Sequence, residues 1–179
     1  MKATIKETVP AKDVIVTYAD GILSIKGPKG TIQRKFNDPR IKVSHADGKI
    51  NLVAELATRR EKMLMGTYVS HMYNMVTGVT EGFIYELKIC SGHFPMTVAV
   101  QGDELVVKNF IGEKKPRKLK LKTGAKVTVD GTIIKIEAID KEIAGMTASA
   151  IELLTRRPGF DNRIFQDGIY ITSKAGKVL

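Results

Sequence analysis

Two short stretches of the chain share one pattern, and they decide the fold. Residues 43–53 read VSHADGKINLV and residues 127–137 read VTVDGTIIKIE. In each stretch, apolar residues alternate with polar ones around an Asp-Gly pair. Alternation with a period of two is typical of half-buried strands, and glycine readily adopts the positive φ that a tight turn demands. Each stretch therefore predicts a β-hairpin, with Asp47-Gly48 and Asp130-Gly131 at the turns.

The surroundings of the two hairpins are also repeated. A helical stretch with an internal glycine, Gly66 or Gly145, follows each hairpin. Another predicted hairpin precedes each of them, at residues 21–36 in the first half and residues 104–122 in the second. Four corresponding elements in the same order favour an internal duplication. The alternative is two unrelated α+β segments that happen to share Asp-Gly turns.

Short strands joined by hairpins dominate both halves, and one helix accompanies each set. The predicted fold class is therefore α+β, with two tandem duplicated small domains, each a mainly antiparallel sheet covered by one helix. We place the first repeat domain at residues 1–82. The second, at residues 83–179, carries a basic loop and the C-terminal segment of the chain.

The first predicted helix has recognisable ends. Thr58 and Glu61 have the spacing of a capping box, in which each side chain satisfies a backbone amide near the helix start. Gly78 is a plausible C-terminal cap. Leu64, Tyr68, Met72 and Met75 recur at helical spacing and predict one buried stripe.

The second predicted helix begins at Asp140 as its cap and is stopped by Pro158, which would clash with the preceding turn. Its inner face is predicted to contain Ile143, Thr147 or Ala148, Ile151 and Leu154.

Charge indicates the class of partner. The chain has 179 residues, with 29 Lys and Arg against 19 Asp and Glu, and a net charge of +10. Such an excess favours nucleic acid, because basic side chains that neutralise phosphates release counterions. Membrane surfaces and acidic proteins also attract a basic chain, so an interaction module for one of them is the alternative.

No stretch approaches the roughly 18 apolar residues of a membrane span. The lack of a signal peptide at the start and the single cysteine predict an intracellular protein.

An enzyme would need a convergent set of reactive groups, and the sequence offers few. Cys90 and His93 could form a thiolate pair or half a metal site, but a structural zinc needs four ligands and there is no second Cys/His pair. We favour a small buried cysteine at the end of a strand.

Residues 27–30, Gly-Pro-Lys-Gly, lack the spacing of a phosphate-binding loop and predict a hairpin turn with an exposed lysine. A minor RNA contact through Lys26, Lys29 or Arg34 stays open.

Positive charge is concentrated between residues 114 and 126, a stretch without acidic residues that we call the basic segment. In its predicted strand, Lys118, Lys120 and Lys122 alternate with Leu119 and Leu121, so one face is apolar and the other cationic. A row of like charges repels itself unless a partner neutralises it. The pattern therefore favours docking onto phosphates over a face that is merely solvated.

Residues 156–174, which we call the C-terminal segment, combine arginines with aromatic residues and include RIFQDGIYI at 163–171. Arginines form rigid forks that match phosphates, and aromatic rings stack on bases. We expect Ile169 and Ile171 to pack inside and Arg156, Arg157, Arg163 and Lys174 to face outward. We expect this to hold together with the plainer interpretation of a loop and a final strand, with Phe165 and Tyr170 in the core.

The run RIFQDGIYI, followed by Lys174, resembles the C-terminal signature of the archaeal and eukaryotic branch of the large-subunit ribosomal protein six family. The Tyr-Lys-Gly-Lys-Gly run of the bacterial branch is missing. The resemblance extends over nearly the whole chain, since that family is also a duplicated pair of small α+β units of about this length.

The resemblance implies a cytoplasmic structural constituent of the large ribosomal subunit, without enzymatic activity. It implies contact with large-subunit rRNA near the sarcin–ricin loop and the base of the factor-binding stalk, with other large-subunit proteins as neighbours and translation factors nearby. It implies no cofactor, metal, membrane or small-molecule substrate. We expect the following residues to bind RNA: Lys114, Lys115, Arg117, Lys118, Lys120, Arg156, Arg157, Arg163 and Lys174.

Overall fold

The computed structural model describes residues 3–11, 13–46, 48–92, 94–161 and 163–179. Its contacts divide the chain into two compact units, residues 1–82 (unit 1) and 83–179 (unit 2). Within the described residues, no helix is long and apolar enough to cross a membrane.

Unit 1 contains six strands followed by a long helix. The elements are β1 (Ala3–Pro10), β2 (Ile15–Ala19), β3 (Ile22–Gly27), β4 (Gly30–Lys35), β5 (Ile41–Ala46), β6 (Lys49–Ala57) and α1 (Arg59–Thr80). The strands form two three-stranded antiparallel sheets, with strand orders β1-β6-β5 and β2-β3-β4.

Unit 2 repeats this order of elements and extends it. Its elements are β7 (Phe83–Cys90), β8 (Thr97–Gln101), β9 (Glu104–Lys108), a short 3-10 turn (Phe110–Gly112), β10 (Arg117–Lys120), β11 (Ala125–Asp130), β12 (Ile133–Ala138), α2 (Lys141–Leu154), β13 (Gly168–Lys174) and β14 (Lys177–Val178). The sheets have strand orders β10-β9-β8 and β11-β12-β7-β13-β14.

The two sheet plans correspond strand by strand. The order β1-β6-β5 recurs as β7-β12-β11, and the meander β2-β3-β4 recurs as β8-β9-β10. Unit 2 adds β13 and β14 on the other side of β7. The predicted duplicated α+β fold is therefore confirmed, with the strands of each unit divided over two sheets where one was predicted.

Both predicted hairpins form, and the turn of the second lies one position later than predicted. In the second hairpin, Asp130 pairs with Ile133, so the turn consists of Gly131 and Thr132. In the first, Ala46 pairs with Lys49, as the predicted turn requires. Asp47 itself lies outside the described residues. Gly131 and Gly48 have φ of 57° and 67°, the left-handed backbone that a two-residue hairpin needs.

Helix α1 begins as predicted and ends later than predicted. The backbone N–H of Thr58 donates to Glu61 Oε2 at 2.8 Å, as a capping box requires. The helix continues through Gly78, which is buried inside it, to Thr80. Glu81 is the C-cap and Gly82 follows with φ of 76°. The prediction that Gly78 caps the helix was wrong, because the left-handed residue that ends it is Gly82.

The buried face of α1 overlaps the predicted stripe. Met72 and Met75 are buried, and Leu64 and Tyr68 are half-buried. Met65 and Val79, which were not predicted, are almost fully buried.

The Gly-Pro-Lys-Gly stretch is a hairpin turn that packs against the end of α1. Gly27 pairs with Gly30. The backbone N–H of Lys29 donates to the Val79 carbonyl oxygen at 3.0 Å, and its ammonium donates to the Glu81 carbonyl oxygen. A cation is favourable there, because the last carbonyls of a helix carry partial negative charge. Lys29 therefore satisfies the end of a helix in unit 1.

Helix α2 covers the larger sheet of unit 2. Asp140 caps it as predicted, with Oδ1 accepting from the Glu142 backbone N–H at 2.8 Å. Thr147, Ala148 and Ile151 are buried, while the predicted inner residues Ile143 and Leu154 are half-buried. The helix ends at Leu154, before Pro158 is reached.

Candidate nucleic-acid interface

The connection between β9 and β10 has an unusual backbone. Asn109, Ile111 and Gly112 have φ of 58°, 47° and 75°. This conformation is easy for glycine and accessible to asparagine, but it is strained for a β-branched residue such as Ile111. The backbone N–H of Glu113 donates to the Phe110 carbonyl oxygen at 2.9 Å and closes the turn.

An ion pair between Arg117 and Glu113 lies at the start of the basic segment. Arg117 donates from Nε to Glu113 Oε2 at 2.8 Å and from Nη2 to Glu113 Oε1 at 2.6 Å. The hydrogen bonds from Arg117 lower the pKa of the Glu113 carboxyl, and Glu113 raises that of the Arg117 guanidinium. Two parallel hydrogen bonds fix the orientation of both side chains, so the pair closes this turn in one geometry.

Arg117 makes two further contacts inside unit 2. Its Nη1 donates to the Leu154 carbonyl oxygen at 2.6 Å, and its guanidinium carbon lies 4.4 Å from the ring centroid of the buried Phe110. The side chain is only 25% exposed. The structure thus places this predicted RNA-binding residue in internal contacts, where it positions the loop.

The lysines of the basic segment lie on the surface as the alternation predicts. Lys118 and Lys120 are exposed, and Leu119 between them is half-buried. Lys118 Nζ lies 3.6 Å from Glu104 Oε2, and both side chains are well exposed. Lys114 and Lys115 are exposed before the strand begins.

The C-terminal segment carries an aromatic cluster. The Arg157 guanidinium lies 4.3 Å from the ring centroid of Phe160, and Phe160 meets Phe165 edge-to-face at 5.1 Å. Phe165 is 50% exposed, so the prediction that it lies in the core is wrong. Tyr170 is half-buried. Phe165 belongs to the surface because the strand that enters the core, β13, begins three residues later.

A tight turn organises the outer part of the segment. The Asp161 carbonyl oxygen accepts from the backbone N–H groups of Ile164 and Phe165 at 3.0 and 2.8 Å. Arg163 Nη2 lies 2.9 Å from Asp161 Oδ2, and the hydrogen bonds from Arg163 lower the pKa of that carboxyl. The Arg163 side chain is nevertheless 90% exposed and accessible to a partner.

Two side chains attach β13 to the end of α2. The backbone N–H of Ile169 donates to Thr155 Oγ1 at 2.9 Å, and that of Ile171 donates to Glu152 Oε1 at 3.1 Å. Ile169 is buried and Ile171 packs against the core, as predicted. Lys174, at the end of the strand, is exposed.

The C-terminal segment and the loop before β10 meet at a cavity of about 220 Å³. Its walls are formed by Ile111 of the 3-10 turn, by residues at the end of α2 and by part of the C-terminal segment, including Arg156 and Arg157. Arg163 and Lys174 are exposed elsewhere on the segment and do not line the cavity.

The structure gives little support to an enzyme or a metal site built around Cys90. Cys90 is a half-buried residue at the end of β7, and His93 lies outside the described residues. In the described part of the chain, no group of three or more His, Cys, Asp or Glu is placed to hold a metal ion.

Comparison with known proteins identifies the family. The sequence profile of the family described as ribosomal protein L6 matches residues 9–82 and 94–168, one range in each unit. Curated relatives include "Large ribosomal subunit protein uL6" of Nanoarchaeum equitans, with 46% identity over 97% of this chain and 95% of the relative. The protein of the same name from Methanosarcina mazei is 45% identical over 90% of this chain and 92% of its own length. That from Methanobrevibacter smithii is 40% identical, with 96% and 97% covered. The profile spans both units, and the relatives align almost end to end. The chain therefore belongs to the ribosomal protein L6 family.

Proposed function

We propose that the protein binds large-subunit rRNA through the basic segment and the C-terminal segment of unit 2. The observation that carries the proposal is the exposure, on one small unit, of all the predicted RNA-binding cations except Arg117, in a chain whose relatives are named large ribosomal subunit proteins. Exposed Lys and Arg can each neutralise a phosphate, and release of counterions then drives binding.

The family sets the general role. Members of the ribosomal protein L6 family are structural, non-enzymatic components of the large subunit of the cytoplasmic ribosome, which confirms that the protein is not an enzyme. Its partners are accordingly rRNA and other ribosomal proteins.

The proposed contacts divide into two kinds. Lys114, Lys115, Lys118 and Lys120 form the cationic side of the basic segment, and Arg156, Arg157, Arg163 and Lys174 form that of the C-terminal segment. Contacts of this type position a protein on folded RNA and recognise its shape more than its base sequence. Arg117 contributes by holding the loop in place through Glu113 and Leu154.

We further propose that the binding site lies near the sarcin–ricin loop and the base of the factor-binding stalk, with translation factors nearby. This location comes from the family resemblance of the C-terminal signature. Crosslinking of the native protein to RNA in the large subunit, followed by mapping of the linked nucleotides, tests it. Crosslinks confined to rRNA regions distant from that loop would refute the location.

The binding proposal is tested by sedimentation and by salt titration. We expect the protein from cell extract to sediment with large subunits, and its affinity for an rRNA fragment to fall steeply with salt. Equal affinity for folded rRNA, heparin and anionic vesicles would favour the alternative of a general module for acidic surfaces. The Cys90→Ala variant serves as a control, because a residue outside the interface should leave rRNA affinity unchanged.

A further inference from the structure

We propose that the cavity at the end of α2 holds one unpaired nucleobase of the bound RNA, a base that carries an exocyclic amine. This inference rests on the proposed function, because it adds a base site to the phosphate contacts. The cavity volume of about 220 Å³ is several times the roughly 30 Å³ that one water occupies. An organic group can therefore enter it.

Two exposed aromatic rings provide a stacking surface. Phe160 and Phe165 both line the cavity and are 37% and 50% exposed. Their edge-to-face contact holds the two rings at a fixed angle. Aromatic side chains that line RNA-binding clefts stack on splayed bases, and stacking on this surface would cover apolar area that is now exposed to water.

The polar groups of the cavity distinguish a base from a phosphate. The acidic residues Glu152 and Asp167 are part of its lining. Each already accepts a hydrogen bond from a backbone N–H, of Ile171 and of Gly92 respectively, which restrains its orientation. Carboxylates accept hydrogen bonds from an amino group and repel a phosphate. A neutral base with an exocyclic amine therefore matches the interior.

The rim has the opposite charge. Arg156 and Arg157 are exposed and line the same cavity, and Arg157 also stacks on Phe160. A nucleotide has the complementary arrangement, with a neutral base at one end and a phosphate at the other. The base would stack on the exposed Phe165 ring while its phosphate meets the arginines.

The backbone of the cavity wall is strained. Ile111 lines the cavity with φ of 47° and ψ of 40°, a left-handed conformation that is unfavourable for a β-branched residue. Such strain persists where surrounding contacts enforce it, and here the Arg117–Glu113 ion pair and the bond from Arg117 to Leu154 hold the adjacent loop. Strained residues cluster at ligand sites, in agreement with a preformed pocket.

The test compares three variants in binding to an rRNA fragment. Phe165→Ala and Phe165→Leu remove the flat ring, and Phe165→Leu keeps apolar bulk against Phe160. Ile164→Ala is the matched control, because Ile164 is the adjacent residue, is 74% exposed and does not line the cavity. We expect both Phe165 variants to lose affinity on the order of tenfold, as for one stacked base. The slope of affinity against salt should stay unchanged, because no phosphate contact is removed.

A second measurement does not need the rRNA. In an amide NMR titration of the full chain, AMP and CMP should shift resonances of residues 152–170 more than UMP does, and ribose 5-phosphate should shift only those near the exposed cations. Phe165→Leu should abolish the base-dependent shifts. If the wild-type protein binds rRNA and both Phe165 variants bind it with the same affinity, the base site is overturned. The proposed function is then left intact. Loss of subunit association without loss of rRNA affinity would assign the cavity to a protein neighbour and also overturn it.

Discussion

The Arg117 guanidinium donates to the Leu154 carbonyl oxygen at 2.6 Å, which fastens the loop before β10 to the end of α2. The same side chain pairs with Glu113 and stacks on Phe110. One arginine thus connects the turn that precedes the basic segment with the helix that precedes the C-terminal segment. A lysine at this position would keep the charge but could not form the planar fork.

Replacing Arg117 with Lys should therefore destabilise the protein. We expect the free energy of unfolding to fall by about 1–2 kcal/mol, because a bidentate pair, a carbonyl bond and a stacking contact are lost from a largely covered side chain. Urea unfolding followed by circular dichroism measures this. Lys118→Gln is the control, since its pair with Glu104 is solvent-exposed and worth at most about 0.5–1 kcal/mol. Equal effects of the two variants would show that Arg117 has no special positioning role.

The capping box of α1 should make stability depend on pH in the acid range. Hydrogen bonds from the Thr58 side chain and backbone and from Arg40 lower the pKa of Glu61 from 4.5 to about 2. A carboxyl whose pKa is depressed by folding stabilises the protein above pH 4.5, and this stabilisation is lost as pH falls toward 2. We expect Glu61→Gln to unfold at lower urea concentration than wild type at pH 7, with the two midpoints converging near pH 2. A constant difference down to pH 2 would contradict the assigned pKa.

Two glycines of unit 1 should respond to alanine in opposite directions. Nothing lies within 4 Å of a Cβ added at Gly66, in the middle of α1, so Gly66→Ala should stabilise the protein by about 0.5–1 kcal/mol. A Cβ at Gly27 would lie 2.8 Å from side-chain and backbone atoms of Val79, so Gly27→Ala should destabilise by about 1–3 kcal/mol. Thermal unfolding measures both. Stabilisation by Gly27→Ala would show that the hairpin does not pack on the end of α1 this closely.

Single lysines of the basic segment should change the salt dependence of rRNA binding. Lys115 is exposed, and its replacement by Gln removes one phosphate contact in the proposed mode. The slope of log affinity against log salt should then become shallower by about 0.7–0.9. Arg117→Lys retains the charge and should leave this slope near that of wild type. An unchanged slope for Lys115→Gln would remove Lys115 from the interface.

Local signals in the sequence predicted much of the fold. The hairpin at Asp130-Gly131 and the caps at Thr58 and Asp140 depend on neighbours within a few residues, so the sequence displays them directly. The outer strands β2 and β8 were not predicted, and each completes a three-stranded sheet. Their pairing depends on partners supplied by the rest of the unit, which local patterns do not contain.

The wrong helix cap and the unpredicted ion pair of Arg117 both depend on tertiary contacts. Gly78 and Gly82 both resemble helix caps, and the choice between them follows from the hairpin around Lys29, which bonds to carbonyls of residues 79 and 81. Arg117 was predicted to bind RNA, and its pairing with Glu113 was not predicted, although their i, i+4 spacing was visible in the sequence. Spacing of this kind indicates a pair on a helix, and here a turn brings the two together.

The added strand β13 lies beside β7 and converts it into an interior strand of its sheet, whereas β1 in unit 1 pairs only with β6 among the described residues. Deletion mapping of the interface would therefore mislead. A protein truncated before Gly168 would lose Lys174, but it would also lose one of the two strands that pair with β7 and the buried side chain of Ile169. Weak RNA binding by such a fragment would report a damaged sheet, so side-chain replacements are the sound way to assign the contacts.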